Sequence, residues 1–423
     1  MEPRELLLGS FQAALAAADP LRIVPRELPQ PPRGRTVVVG AGKAAAAMAL
    51  AVESHWPAAA PLEGVVITRY GHGLPTKRIR VVEAGHPVPD EHGESAAREI
   101  LALARGLGKD DLLLALVSGG GSSLLSLPVP EVPMADLKAV TRSLLASGAP
   151  IQDMNTVRKH LSAIQGGRLA AATEAPVLAL VISDVTGDDP THIASGPCTP
   201  DPTTYDDAIE ILRRYRVDVP SSVQSHLERG VRGAVAETPK PGDAAFARVE
   251  SRVVATAHAS LEAAARFVRS EGVTPLVLGD SVTGEASEVA KVYAALAREV
   301  RLHAQPAKPP VALISGGETT VTVRGKGRGG RCSEFLLSLA IELDGLADTW
   351  ALACDTDGID GSEDNAGAVL TPDALARARG VRMHPKRMLA DNDGYAFFAA
   401  LGDLVLTGPT RTNVNDYRVI LVA

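Results

Sequence analysis

Cysteine is scarce: Cys198, Cys332 and Cys354 are the only three in 423 residues, and none forms a CxxC pair. That excludes a disulfide framework and a cysteine-based zinc site. Aromatic residues make up only 3% of the chain, too few for the stacking platforms of a single-strand nucleic-acid binder. A basic tract is missing as well. The chain carries 43 Lys and Arg against 50 Asp and Glu, a mildly acidic balance with no footprint for nucleic acid. The longest apolar stretches are strand-length or broken by charge, so no membrane span is predicted. The first twenty residues, MEPRELLLGSFQAALAAADP, are amphipathic but contain Glu2, Glu5 and Asp19. Without a basic start they do not read as a secretory signal. Repeats of roughly 20–50 residues are absent. The reading is a soluble, cytoplasmic protein, long enough for two or three domains with ordinary cores.

What is present is alternation. Strand-like runs are predicted at residues 36–39, 65–68, 79–83, 112–117, 177–183, 252–256, 274–278, 311–315, 319–323, 349–353, 404–407 and 419–422. Between several of them lie Ala/Leu-rich stretches of helical period, such as 95–107 and 285–300. Strand–helix alternation predicts an α/β fold of mainly parallel sheets covered by helices on both faces. The sharpest break in composition is 235–246, with Pro239, Pro241 and Gly242. It divides the chain into residues 1–235, a Rossmann-like doubly wound domain, and 247–423, a second α/β domain. The last strand is a candidate to return to the first domain.

The chemistry sits at the ends of these strands. GAGKAAAA (40–47) follows a β-branched run and opens an Ala-rich helix. Glycines let the backbone approach a ligand, the helix N-terminus favours negative charge, and Lys43 adds a cation. A Walker A loop would need Ser or Thr after the lysine, where Ala44 stands. The dinucleotide fingerprint G-x-G-x-x-[GA] is matched by Gly40, Gly42 and Ala45, but the next strand ends in Arg69 instead of an acid. A stronger phosphate cradle is SGGGSS (118–123), in which Ser118, Gly119, Gly120, Gly121, Ser122 and Ser123 follow a fully apolar strand. A serine-nucleophile elbow, G-x-S-x-G, is absent there.

NTVRKHLS (155–162) places Asn155 and Arg158 on one helix face, an amide and a guanidinium suited to a carboxylate or phosphate. SDVTGDDP (183–190) delivers Asp184, Asp188 and Asp189 from a strand end, as base or Mg2+ ligands, and leads to IASGP (193–197). In the second half, SGGET (315–319) precedes GKGRGGRCSE (325–334), read as another anion site with Arg328 and Arg331 at a helix start. CDTDGIDG (354–361) offers Asp355, Asp357 and Asp360, without the final Glu of a calcium loop. TGPTRTNVND (407–416) is a polar loop between two terminal strands. Cradled phosphate, compensating cations and a carboxylate near a hydroxyl are the parts of a phosphoryl-transfer site.

With these residues in view, the chain resembles the class II glycerate kinases, the glycerate 2-kinase family with a C-terminal MOFRL domain. The likeness runs through GAGKAAAAMA, AGHPVPDE, SGGGSSLL, NTVRKHLSAIQGGRLA, SDVTGDDPTHIASGP, SGGETTVTV, CDTDGIDG and TGPTRTNVNDYRV, in that order. It implies phosphorylation of D-glycerate to 2-phosphoglycerate, dependent on ATP and Mg2+, in a cleft between two α/β domains. It maps the family's active-site lysine and arginine onto Lys43 and Arg331. On that reading the ATP phosphates lie on Ser118–Ser123 and Mg2+ is held by Asp184 or Asp188. Asn155 and Arg158 hold the substrate carboxylate, with Ser195 a further substrate contact, and Asp188 accepts the hydroxyl proton. The implied partners are small molecules only, with no nucleic acid or membrane, for a monomer or homodimer. Two positions depart from the family pattern: Cys332 stands where GGRN is usual, and Arg411 where a small residue is usual. Some members have been labelled hydroxypyruvate reductases. The alternative is therefore an NAD(P)H-dependent reductase, for which the GAGKAA match is the best local support.

Overall fold

The chain folds as two units, Pro20–Val254, and Met1–Asp19 together with Ala255–Ala423; the computed structural model describes every residue from Met1 to Ala423. In the Pro20–Val254 unit one sheet is built from β1 (Thr36–Ala41), β2 (Leu62–Arg69), β3 (Ile79–Ala84), β4 (Leu112–Val117), β5 (Val177–Ile182) and β6 (Val249–Ala255). Their order across the sheet is 3-2-1-4-5-6, and every pairing from β3 to β5 is parallel. This is the doubly wound order, in which the winding reverses between β1 and β4 and ligands bind beyond the carboxyl ends of those strands. Every residue of β1, β4 and β5 is buried, which explains why their sequences are apolar without alternation.

The helix Glu91–Arg105 shows how local sequence builds this unit. Asp90 caps it by accepting from the Gly93 amide at 3.0 Å, and Glu91 and Glu94 occupy the first turn. Its stripe of Ala97, Ile100, Leu101 and Ala104 packs on Val37, Val39, Val65, Ile67, Leu113 and Ala115. A second core gathers around the helices Met134–Ala146, Ile151–Leu161, Tyr205–Arg214 and Ser221–Val231. Thr204 and Asp207 form a reciprocal capping box at the start of the third of these.

The other unit holds β7 (Thr274–Val277), β8 (Val311–Gly317), β9 (Thr349–Asp355), β10 (Gly367–Leu370), β11 (Leu404–Val405) and β12 (Asp416–Val422), ordered 11-10-9-12-8-7. Alternating residues divide its core. Ile314, Leu352 and Val419 face the helices Pro3–Ala17 and Ala257–Ser270. Leu313, Ala351, Ala353 and Ile420 face Ala286–His303 and Arg331–Leu343.

Three expectations need correction. Residues 1–19 belong to the second unit: Leu6, Leu7 and Phe11 are buried there, and Phe11 stacks on Tyr417 with ring centroids 5.9 Å apart. The boundary between units falls at Val254, beyond the Pro/Gly segment, because β6 continues the first sheet. The last strand, β12, stays in the second sheet, antiparallel to both β8 and β9. Only the β7–β8 pair of that sheet is parallel, so it is mixed. Residues 319–323 make a single bridge, Thr320 to Glu285, in place of a strand, and β10, beginning at Gly367 and four residues long, is too short to show a period. No helix is long and apolar enough to cross a membrane.

Candidate active site

At the switch point, the turn after β1 and the turn after β4 are built into each other. The Lys43 amide donates to Gly119 O at 2.8 Å, the Ser118 amide to Ala41 O at 3.1 Å, and the Ala44 amide to Ser118 Oγ at 3.1 Å. The helix Ala45–His55 has no side-chain cap of its own; Ser118 supplies it from β4. Gly42 is obligatory at this crossing. Its φ is +141°, and a Cβ there would stand 2.0 Å from Ser118 Oγ. Gly42→Ala is expected to destabilise the protein by about 2–4 kcal/mol, read by thermal or denaturant unfolding.

Beyond this clamp the SGGGSS turn opens. Gly120 takes the left-handed conformation, φ +78°, with Lys43 Cγ 3.4 Å from where its Cβ would be. The amides of Gly119, Gly120, Ser122 and Ser123 donate to no backbone carbonyl. Ser118, Gly119 and Gly121 are buried, whereas Gly120 and Ser122 are partly accessible. Gln165 braces the turn, donating to Ser122 O at 2.8 Å and Leu125 O at 3.0 Å.

The same turn is joined to the helix Ile151–Leu161. Ser195 Oγ donates to Asn155 Oδ1 at 3.0 Å and lies within hydrogen-bond distance of Ser122 Oγ, 2.9 Å away, and Asn155 Nδ2 donates to His192 O at 3.0 Å. Asn155 and Ser195 are wholly buried, at 0% exposure. Their expected contact with substrate is therefore corrected: their polar groups are used in holding the crevice together. Lys159 turns inward, its Nζ 3.3 Å from buried Asp201. Arg158 turns the other way, into a narrow crevice with Pro87, Pro89, Ser122, Ser123 and Thr141 on its walls. Its hydrogen bond is to Asn155 Oδ1 at 3.4 Å, and no carboxylate pairs with it. Burial lowers its pKa, but a guanidinium remains charged in proteins.

Asp184 follows β5, and Asp188 sits at φ +55° in a turn closed by its amide on Val185 O at 3.0 Å. Both are half-buried. Burial raises the Asp189 pKa, but the Thr191 backbone and side chain and the charge on His192 lower it below the usual carboxylate range. No three His, Cys, Asp or Glu side chains gather to hold a metal. One or two carboxylates that leave room for water and phosphate are nevertheless what Mg2+ takes, and Asp184 and Asp188 fit that donor set.

The second unit overturns the expected anion site at 325–334. The first amides of the helix Arg331–Leu343, those of Cys332 and Ser333, are taken at 2.9 and 2.8 Å by the two oxygens of buried Asp360. The loop amides of Gly325, Lys326 and Arg328 bond to Asn392, Asp391 and Asp393. An internal carboxylate already fills the place of the anion. Arg331 is equally committed: Nε meets Asp416 Oδ1 at 2.7 Å, Nη2 meets Asp355 Oδ2 at 2.8 Å, and Nη1 pairs with Glu318. Burial lowers its pKa, yet Asp416, Asp355 and Glu318 hold it well above the ordinary value. Cys332 is wholly buried in the apolar core, so that position faces no ligand.

Comparison with known proteins places the chain in a family. Residues 6–228 match a domain of unknown function, DUF4147, and residues 311–416 match the MOFRL family. A glycerate 2-kinase from Pyrococcus horikoshii is 38% identical, covering 100% of this chain and 98% of its own. The crystal structure of the glycerate kinase from Thermotoga maritima superimposes with a TM-score of 0.88 at 37% identity, over 99% of both chains. The chain belongs to the MOFRL-type glycerate kinase family. A putative hydroxypyruvate reductase from Agrobacterium vitis is 52% identical, over 99% of this chain and 94% of its own. In this MOFRL-family chain, His86 is the site residue that reading the sequence passed over. Its Nδ1 lies 2.7 Å from Ser123 Oγ, and the available signal was a histidine just past the end of β3.

Proposed function

We propose that the protein is a kinase that transfers the γ-phosphoryl group of ATP, with Mg2+, to the 2-hydroxyl of D-glycerate, giving 2-phosphoglycerate. The observation that carries this reading is the adjacency of two anion seats. Lys43 with the Gly120, Ser122 and Ser123 amides forms one; Arg158, without a carboxylate partner, forms the other, joined to the first through Ser122, Ser195 and Asn155. Nucleotide phosphate takes the first seat and the organic acid takes the second. Lys43 offsets charge on the phosphoryl group in transfer. Asp184 and Asp188 would hold Mg2+, which supplies charge neutralisation on the phosphates. Arg331, neutralised by its own carboxylates, serves to hold the loops of the second unit.

One feature supports a reductase: the GxGxxA match lies in the first strand–helix turn of a 3-2-1-4-5-6 sheet, where a dinucleotide pyrophosphate binds in such folds. The space that this fingerprint reserves over its second glycine is taken here by Ser118, which also occupies the Ala44 amide. That weighs against the dinucleotide. Incubation with D-glycerate, ATP and Mg2+ is expected to yield 2-phosphoglycerate in phosphorus NMR. Oxidation of NADH or NADPH by hydroxypyruvate, with no phosphorylated product in the first assay, would overturn the reading. Arg158→Lys is expected to raise the KM for glycerate by about 10–100-fold while KM for ATP stays within about threefold, because a point charge cannot replace the bidentate fork.

A further inference from the structure

Resting on that kinase reading, we propose that His86 takes the proton of the acceptor hydroxyl, held for the task by Ser123. Its turn is built rigidly. The Gly85 amide donates to Asp90 Oδ2 at 2.8 Å, Tyr70 Oη donates to the same oxygen at 2.7 Å, and Asp90 Oδ1 accepts from Gly93 at 3.0 Å. The backbone just before His86 is therefore held by a carboxylate with three hydrogen bonds. The Ser123 hydroxyl donates its single proton to Gly120 O at 3.2 Å. With that proton on Gly120 O, the Ser123 oxygen accepts from His86 Nδ1, 2.7 Å away. We take this Nδ1–H tautomer, in which Nε2 is the basic nitrogen.

The placement suits the reaction. The imidazole and the Lys43 stem flank the same glycine: a Cβ on Gly120 would stand 3.1 Å from His86 Cε1 and 3.4 Å from Lys43 Cγ. The residue that follows, Pro87, lines the crevice with Ser122, Ser123 and Arg158. A 2-hydroxy acid whose carboxylate lies on Arg158 has its hydroxyl on the next carbon, inside that crevice. In the step, the hydroxyl oxygen bonds to the γ-phosphorus and the bond to the β,γ-bridging oxygen breaks. Nucleoside diphosphate leaves with the electron pair, and the hydroxyl proton passes to His86 Nε2 and later to water. Asp188 is thereby left to the metal, where a coordinated carboxylate is a poor base.

The test uses the full-length enzyme and two variants, His86→Asn and His86→Gln. The asparagine amide can still donate to Ser123 but offers no base. Both variants are expected to lose about 10²–10⁴-fold in kcat, with KM for glycerate and ATP within about threefold and unchanged thermal unfolding. In the ligand-free wild type, imidazole ¹⁵N shifts of His86 should report the Nδ1–H tautomer, and Ser123→Ala should mix the two. Wild-type kinase turnover retained in His86→Asn, or an Nε2–H tautomer, would overturn the inference alone. A wild type that makes no phosphoglycerate would overturn the kinase reading and this inference together.

Discussion

Replacing Lys43 by alanine is expected to lower kcat by about two orders of magnitude or more while leaving the fold intact, because a well-placed charge on the transferred group is worth roughly 3–4 kcal/mol. The structure separates the two roles of this position. Its backbone closes the clamp, through the amide on Gly119 O, and alanine retains that bond. Its side chain runs past Gly120, 3.4 Å from the place of a Cβ there, to the turn with the unused amides. Lys43→Arg is expected to fail nearly as badly: a planar fork replaces a compact charge in a turn closed on both sides by backbone. Steady-state kinetics beside a thermal melt decide the matter. Near-normal kcat in the alanine variant would remove Lys43 from the mechanism.

The second large effect is on stability. Arg331→Met is expected to cost about 3–5 kcal/mol, since removing one member of a buried ion cluster strands the others. Asp416 is wholly buried and Asp355 nearly so, at 1% and 5% exposure; Arg418 remains on Asp416 Oδ2 at 2.5 Å, whereas Asp355 loses the Arg331 guanidinium. The sign of the pH dependence follows. The pKa of Arg331 is raised in the folded state, so its contribution is fully present throughout the range below the pKa of a free guanidinium. In the variant, protonating the stranded carboxylates relieves the penalty. The deficit against wild type therefore shrinks as pH falls into the carboxylate range. Asp355→Asn in the Arg331→Met background is expected to restore part of the loss, measured as a double-mutant cycle in urea. Unchanged stability in Arg331→Met with lost turnover would instead return Arg331 to the reaction.

Much of this architecture is legible locally. The apolar runs at β1, β4 and β5 carry their burial in their composition, and the glycines that follow mark where the chain must turn at the strand ends. The Asp90 cap and the stripe at Ala97, Ile100 and Leu101 declare their helix. β10 escaped because four residues hold too few alternations to show a period, and the mixed pairing of the second sheet escaped because strand direction is set by neighbours distant in sequence.

The site divides in the same way. Residue type and turn composition alone nominated Lys43, the SGGGSS turn and Arg158, because glycine, serine and guanidinium chemistry is intrinsic to those residues. Which arginine is available to a ligand was decided only by the tertiary structure. Arg158 and Arg331 both stand near glycine-rich segments, yet Arg331 is neutralised by carboxylates 13, 24 and 85 positions away, whereas no carboxylate reaches Arg158. The second glycine of GAGK was likewise open by its sequence and closed by Ser118, 76 residues further on. Charge compensation and occupied space are properties of what lies nearby in three dimensions, and spacing along the chain does not encode them.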